Sequence, residues 1–104
     1  MLYFEWDEVK AAGNVAKHRI SFAAASAALE DPHAIEWEDQ VVDGEVRNSA
    51  TAMAPGGVIV TVCYTLQAIE KDEIARIISA RKATRAERKD YEQLRATSGG
   101  NFFE

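Results

Sequence analysis

The sequence holds a single cysteine, Cys63, so no internal disulfide can form and stability must come from packing. It has two prolines, and each falls at a break: Asp31-Pro32 ends a helical stretch, and Pro55-Gly56-Gly57 marks a turn. No apolar run approaches the ~20 residues of a membrane span. The opening MLYFEWDEVK has neither the basic start nor the apolar core of a signal peptide, so a cytoplasmic protein without a membrane role is expected. No phosphate-binding P-loop, zinc motif or nucleophile elbow occurs. Glu36, Glu38, Asp39 and Asp43 lack metal-ligand spacing with His33 and suggest a solvated edge or a docking surface for a basic partner. Neither a metal nor an organic cofactor is expected. Positive charge is scarce over most of the chain: residues 1–70 hold four cations against eleven acids.

What is present is a chain of 104 residues, 47% apolar and 28% charged, which suits one globular domain. We expect the domain to span residues 1–97 and residues 98–104 to form a loose tail after Ser98-Gly99-Gly100. The formal charge is −5, yet residues 71–95 carry eight cations against five acids. A nucleic-acid binder is usually basic, because phosphate neutralisation supplies most of its affinity. This balance excludes a broad cationic surface and leaves room for a small anion site.

The periodicity gives an α+β domain in the order β-α-α-β-β-β-β-α. LYFEW is too short and aromatic for a helix and implies an opening strand. Asp7 is positioned to cap a helix through about His18, with Val9, Ala12, Gly13 and Ala16 as its core-facing stripe and Asn14, Lys17 and His18 on another side. Ser21 caps a second helix, whose stripe is Phe22, Ala25, Ser26 and Leu29. Alternation over 34–39, the Asp43-Gly44 turn, Val46–Met53 and the apolar run VIVTVCYT then predict successive strands, the last of them central. LQAIEKDE is expected to be a long connection before a final strand, IARIISAR. Thr84 and Glu87 form a capping box for a helix through roughly Ala96. The expected architecture is an antiparallel sheet of four to five strands, with two N-terminal helices and one C-terminal helix. Helices would cover one face and leave the other open to a substrate.

Three groups of residues are candidates for chemistry. In the last strand, strict alternation puts Ile77, Ser79 and Arg81 on one face and Arg76, Ile78, Ala80 and Lys82 on the other, unless a bulge re-aims one arginine. Arg81, two residues after a hydroxyl, suits an anion contact. Lys17 and His18 close the first helix, where cations are also stabilised simply by the helix dipole, by about 0.3–1 kcal/mol. Tyr64, late in the central strand, is either a core residue with a wet hydroxyl or a border of the anion site. Cys63 reads as core.

FEWD at 4–7, N-x-x-KH at 14–18, ISF at 20–22, DP at 31–32, YT at 64–65 and RIISARKATRAER at 76–88 together resemble the BrnT toxins of bacterial type II toxin–antitoxin modules. The likeness covers about residues 3–92. It implies a fold similar to RelE-like ribonucleases and a metal-independent endoribonuclease that inhibits translation. It also implies a BrnA-like ribbon-helix-helix antitoxin in a 2:2 heterotetramer, with operator DNA met only through the antitoxin. Carried onto this chain, the catalytic set is Lys17, His18, Tyr64, Ser79 and Arg81, with Arg76, Arg47 and Lys82 as RNA or phosphate contacts. Arg47 matches a family arginine and could equally be a surface residue. The chain departs from the family in three places: Arg19 where glycine is common, Ala23-Ala24 where a glutamate follows S-F, and Leu66-Gln67-Ala68 where many members have x-Arg-Gly in a tight turn. The alternative reading is a catalytically weak partner whose role is to bind antitoxin. An enzyme site requires Lys17, His18, Tyr64, Ser79 and Arg81 to converge on one sheet face.

Overall fold

The computed structural model describes residues 1–99. Its elements are β1 (Leu2–Glu5), α1 (Glu8–His18), α2 (Phe22–Ala28), β2 (Ile35–Val42), β3 (Glu45–Met53), β4 (Ile59–Ile69), β5 (Asp72–Lys82) and α3 (Arg85–Gly99). One five-stranded sheet runs in the order β1-β5-β4-β3-β2. The four later strands form an antiparallel meander, with β4 in the middle as its two-sided apolar character implied. The sheet as a whole is mixed: β1 lies parallel to β5, from Leu2 opposite Glu73 to Glu5 opposite Arg76. The two helices between β1 and β2 supply a connection long enough to bring β1 beside the last strand.

Local sequence accounts for the element ends. The Asp7 carboxylate accepts from the Val9 and Lys10 N–H groups at 2.8 and 3.1 Å, and Ser21 Oγ accepts from Ala24 N–H at 3.0 Å. Asp43 and Gly44 both have positive φ, 50° and 79°, as a tight Asp-Gly hairpin turn demands. Arg19 takes the left-handed position that ends α1, φ 62°, and donates its N–H to Val15 O. A side chain there carries a strain of about 1 kcal/mol that glycine would avoid.

α1 does not use the expected stripe. Val9 is 82% exposed, whereas Asn14 is buried. The reason is a broken sheet edge. β1 pairs with β5 only as far as Arg76, so the outer edge of β5 beyond it lacks a strand. Asn14 fills that place: Nδ2 donates to Ala80 O at 2.8 Å, and Oδ1 accepts from Ala80 N–H at 3.1 Å. Nδ2 also donates to Ile20 O at 2.9 Å, fixing the α1–α2 corner. Hydrogen-bond demand therefore outweighs the weak apolar pattern of the helix.

The main core lies between α2 and one sheet face, with Phe22, Ala25 and Ala28 against Ala50, Val60, Val62, Ala75 and Ile77. Phe22 meets Trp6 edge to face, with centroids 6.2 Å apart. The opposite face is not fully open. α3 crosses its β3 end and sets Tyr91 against Ile59 and Ala83, while the Tyr91 hydroxyl donates to Asp31. Two further expectations change. LQAIEKDE is no loose connection, because β4 and β5 pair through Gln67–Ile74 to Ile69–Asp72 as one long hairpin. α3 continues past Ala96 to Gly99, so residues 98 and 99 of the expected tail are helical and residues 100–104 lie outside the described residues.

Candidate active site

The face of the sheet that carries α3 is polar along its middle. Residues opposite one another in the antiparallel ladder share a face, which groups Arg81 with Thr61, Thr61 with Thr51, and Ser79 with Cys63 and Ser49. Strict alternation would send Arg76 to the other side. The register slips between Cys63 and Tyr64: Cys63 faces Ser79, but Tyr64 faces Ile77, leaving Ile78 as an extra residue on β5. This bulge returns Arg76, opposite Thr65, to the same face as Ser79 and Arg81.

Arg81 is anchored rather than free. Its Nη1 and Nη2 donate to the two Glu87 oxygens at 2.8 and 3.0 Å, a bidentate pair. Glu87 also closes the capping box, accepting from Thr84 N–H at 2.9 Å, and takes a bond from Thr61 Oγ1 at 2.9 Å. Arg81 holds the Glu87 carboxyl down to about 2 against the opposing effect of burial, with Thr84 and Thr61 assisting. Glu87 is thus a fixed anion that orients Arg81, and Thr51 supports it by bonding Thr61 Oγ1 at 2.8 Å. The Arg81 side chain keeps 43% of its surface exposed, so its outer edge reaches solvent.

Arg47 sits on β3 beyond Ser49, and its buried Nε has no hydrogen-bond partner. A buried guanidinium N–H without an acceptor is an opening for an anion. Around it, Asp39 accepts from Ser49 Oγ at 3.0 Å. Burial pushes the Cys63 thiol up despite the nearby Arg47 charge, so Cys63 is not an activated nucleophile.

The structure brings together Arg47, Arg76, Ser79 and Arg81, but not the whole expected set. Tyr64 faces away, buried on the α2 side, where burial and then Glu36 and Glu73 push its hydroxyl up to about 12. Two carboxylates beside it make a poor place for a phosphate. Lys82, opposite Val60, also belongs to that far face by alternation and is exposed. Lys17 and His18 close α1 beside the β5 edge, Lys17 exposed and His18 half-buried, and neither makes a hydrogen bond or ion pair. The five-residue convergence on one face is therefore absent. An enzyme reading loses Tyr64 and rests on Arg47, Arg76, Ser79 and Arg81, with Lys17 and His18 at the end of α1.

Asp39 is exposed, as a solvated edge or docking surface would be; its bond with Ser49 and the second role of Glu87 are what sequence reasoning missed. Glu87 was legible as a cap; its pairing with Arg81 depends on how α3 folds back over the sheet. Among the described residues no group of three or more His, Cys, Asp or Glu could hold a metal ion, and no helix is long and apolar enough to cross a membrane.

The sequence matches the family described as the ribonuclease toxin, BrnT, of type II toxin–antitoxin systems over residues 6–87. Among solved structures the chain is similar to the Brucella abortus ribonuclease toxin BrnT, known from a crystal structure at 1.1 Å resolution. The two share 26% identity with a TM-score of 0.58, over 82% of this chain and 99% of that one. No curated protein matches. With the family matched across β2 to β5 and through the capping box, this chain belongs to the BrnT family of ribonuclease toxins from type II toxin–antitoxin systems.

Proposed function

We propose that this chain is an endoribonuclease that cuts RNA on its α3 face without a metal, inhibits translation in the cytoplasm, and is neutralised by a BrnA-like ribbon-helix-helix antitoxin in a 2:2 complex. Operator DNA is met only through that antitoxin. The observation that supports the catalytic part is the bulge at Ile78, which aligns Arg76, Ser79 and Arg81 on one face with Arg47 two strands away.

The chemistry follows from the cations. A base takes the proton of a ribose 2′-hydroxyl, and the freed oxygen attacks the adjacent phosphorus. The bond to the 5′-oxygen breaks, leaving a 2′,3′-cyclic phosphate, and an acid supplies the proton that the departing oxygen needs. Negative charge accumulates on the phosphorane oxygens, where the exposed edge of Arg81 and the orphaned Nε of Arg47 stabilise it. Ser79 hydrogen-bonds a phosphate oxygen and Arg76 holds the neighbouring phosphate. Proton transfer falls to Lys17 or His18, which make no bond to the protein.

A second reading is favoured by one observation. The bidentate Arg81–Glu87 pair already satisfies much of Arg81, as a purely structural ion pair would. On that reading the chain cleaves little and serves to bind antitoxin. Induction in cells of the wild type and Arg81→Ala separates the two. Growth arrest with RNA loss that vanishes in Arg81→Ala supports the ribonuclease; unaffected growth on wild-type induction supports the weak partner.

A further inference from the structure

The sheet opens into a fork. Pairing of β3 with β4 stops at Asn48–Tyr64, yet β4–β5 continues to Ile69–Asp72 and β2–β3 to Val42–Glu45. Two hairpins therefore part beyond Tyr64. At the root of the fork, on the face away from Arg81, lies a pit of about 110 Å³ lined by Leu2, Leu29, Tyr64, Leu66, Glu36 and Glu73. Its floor is apolar and its rim carries the two carboxylates, neither of which makes an ion pair or hydrogen bond.

Tyr64 is the informative residue. It is only 3% exposed, lines the pit, and its hydroxyl has no hydrogen-bond partner. The ring is buried but the hydroxyl oxygen is not, so it meets solvent at the pit and can pair with a ligand there. Burial together with Glu36 and Glu73 keeps that hydroxyl protonated, so it offers both a donor and lone pairs. An anion is repelled here; a cation on an alkyl stem fits every feature. The stem packs on Leu2, Leu29 and Leu66, and the charged head meets Glu36, Glu73 and the Tyr64 oxygen. The surrounding hairpins add Glu38, Asp43, Glu45 and Glu70, with Lys71 at the β4–β5 turn offsetting one of them, so the field there stays negative.

We propose that this pit receives a lysine or arginine side chain of the antitoxin, which docks its basic segment across the forked hairpins on the face opposite the RNA-cutting cations. The inference rests on the reading of this chain as an antitoxin-neutralised toxin. It gives Tyr64 a role in partner recognition and separates partner binding from cleavage by mutation.

Calorimetry with the full chain and a purified BrnA-like ribbon-helix-helix antitoxin tests this. Glu36→Lys combined with Glu73→Lys is expected to weaken binding by about 100-fold, and Glu36→Gln with Glu73→Gln by about tenfold with a shallower salt dependence. Both positions are exposed, and thermal melting at the wild-type temperature certifies folding in each variant. Arg81→Ala is expected to bind as tightly as wild type. Lysine variants that bind within about twofold of wild type overturn the docking inference alone, as does a charge effect confined to self-association of this chain. A wild-type chain that binds no such protein overturns the neutralised-toxin reading and the inference together.

Discussion

The two faces of the sheet solve different problems with the same strands. The α2 side is closed by apolar packing, with Phe22 and the alanines of α2 against Val60, Val62 and Ile77, and it opens at an acidic pit. The α3 side is filled by hydrogen bonds and one ion pair, running Thr51–Thr61–Glu87–Arg81, and opens toward Arg76 and Arg47. The difference teaches how a chain of formal charge −5 can serve an RNA chemistry. Many of the acids lie on the hairpins and the far face, and Glu87 and Asp39 balance the arginines on the α3 face, so a few arginines gather there without making the molecule basic.

The comparison is most sharply drawn by truncating one anchor on each side. Phe22→Ala is expected to cost about 3–5 kcal/mol, because a buried aromatic leaves a cavity that the small alanines of α2 cannot close. Tyr91→Phe, the counterpart under α3, should cost only about 1 kcal/mol, since it removes one hydroxyl bond to Asp31 and keeps the ring. Equal losses in chemical denaturation would erase the distinction between an apolar and a polar face.

Next in size is Asn14→Leu, expected to cost about 2–3 kcal/mol by leaving the Ala80 N–H and C=O unpaired at the β5 edge. Hydrogen exchange at Ala80 should accelerate with it. Unchanged protection there would mean that water, not Asn14, can complete that edge.

Acid titration compared between wild type and a Glu87 variant probes the α3 side, since the Asp7 cap of α1 contributes equally to both. Glu87 has its pKa lowered from the ordinary 4.5 to about 2, so its stabilisation is complete above about pH 4.5 and is lost as pH falls toward 2. Glu87→Gln should lower stability at pH 7 by about 1–3 kcal/mol and flatten the acid limb over that window. A variant with the wild-type acid profile would show that Arg81 is not held by an ionised Glu87. The smallest effect is expected from Arg19→Gly, which relieves the left-handed strain at the end of α1 and should raise stability by about 0.5–1 kcal/mol.

The sequence made the element order legible because its signals are local. Asp7, Ser21 and the Thr84–Glu87 box announce their helices within a turn, and Asp43-Gly44 announces its hairpin. What stayed hidden depends on distant partners. The parallel placement of β1, the gap it leaves, and Asn14 turning inward to fill that gap are one event, invisible to helical periodicity. The Ile78 bulge likewise has no composition signal, since RIISAR alternates cleanly as text. Of the candidate site, Arg47, Arg76, Ser79 and Arg81 were named and share a face; Tyr64 was named for a phosphate that its two glutamate neighbours would repel.

The most direct test is cleavage of single-stranded RNA by the purified chain in the presence of a chelator, comparing wild type with Arg47→Ala and Arg81→Ala. The account predicts 2′,3′-cyclic phosphate ends from the wild type, and losses of about 100-fold or more in each variant with antitoxin binding intact. Cleavage by the arginine variants at the wild-type rate, or no cleavage by the wild type itself, would contradict it.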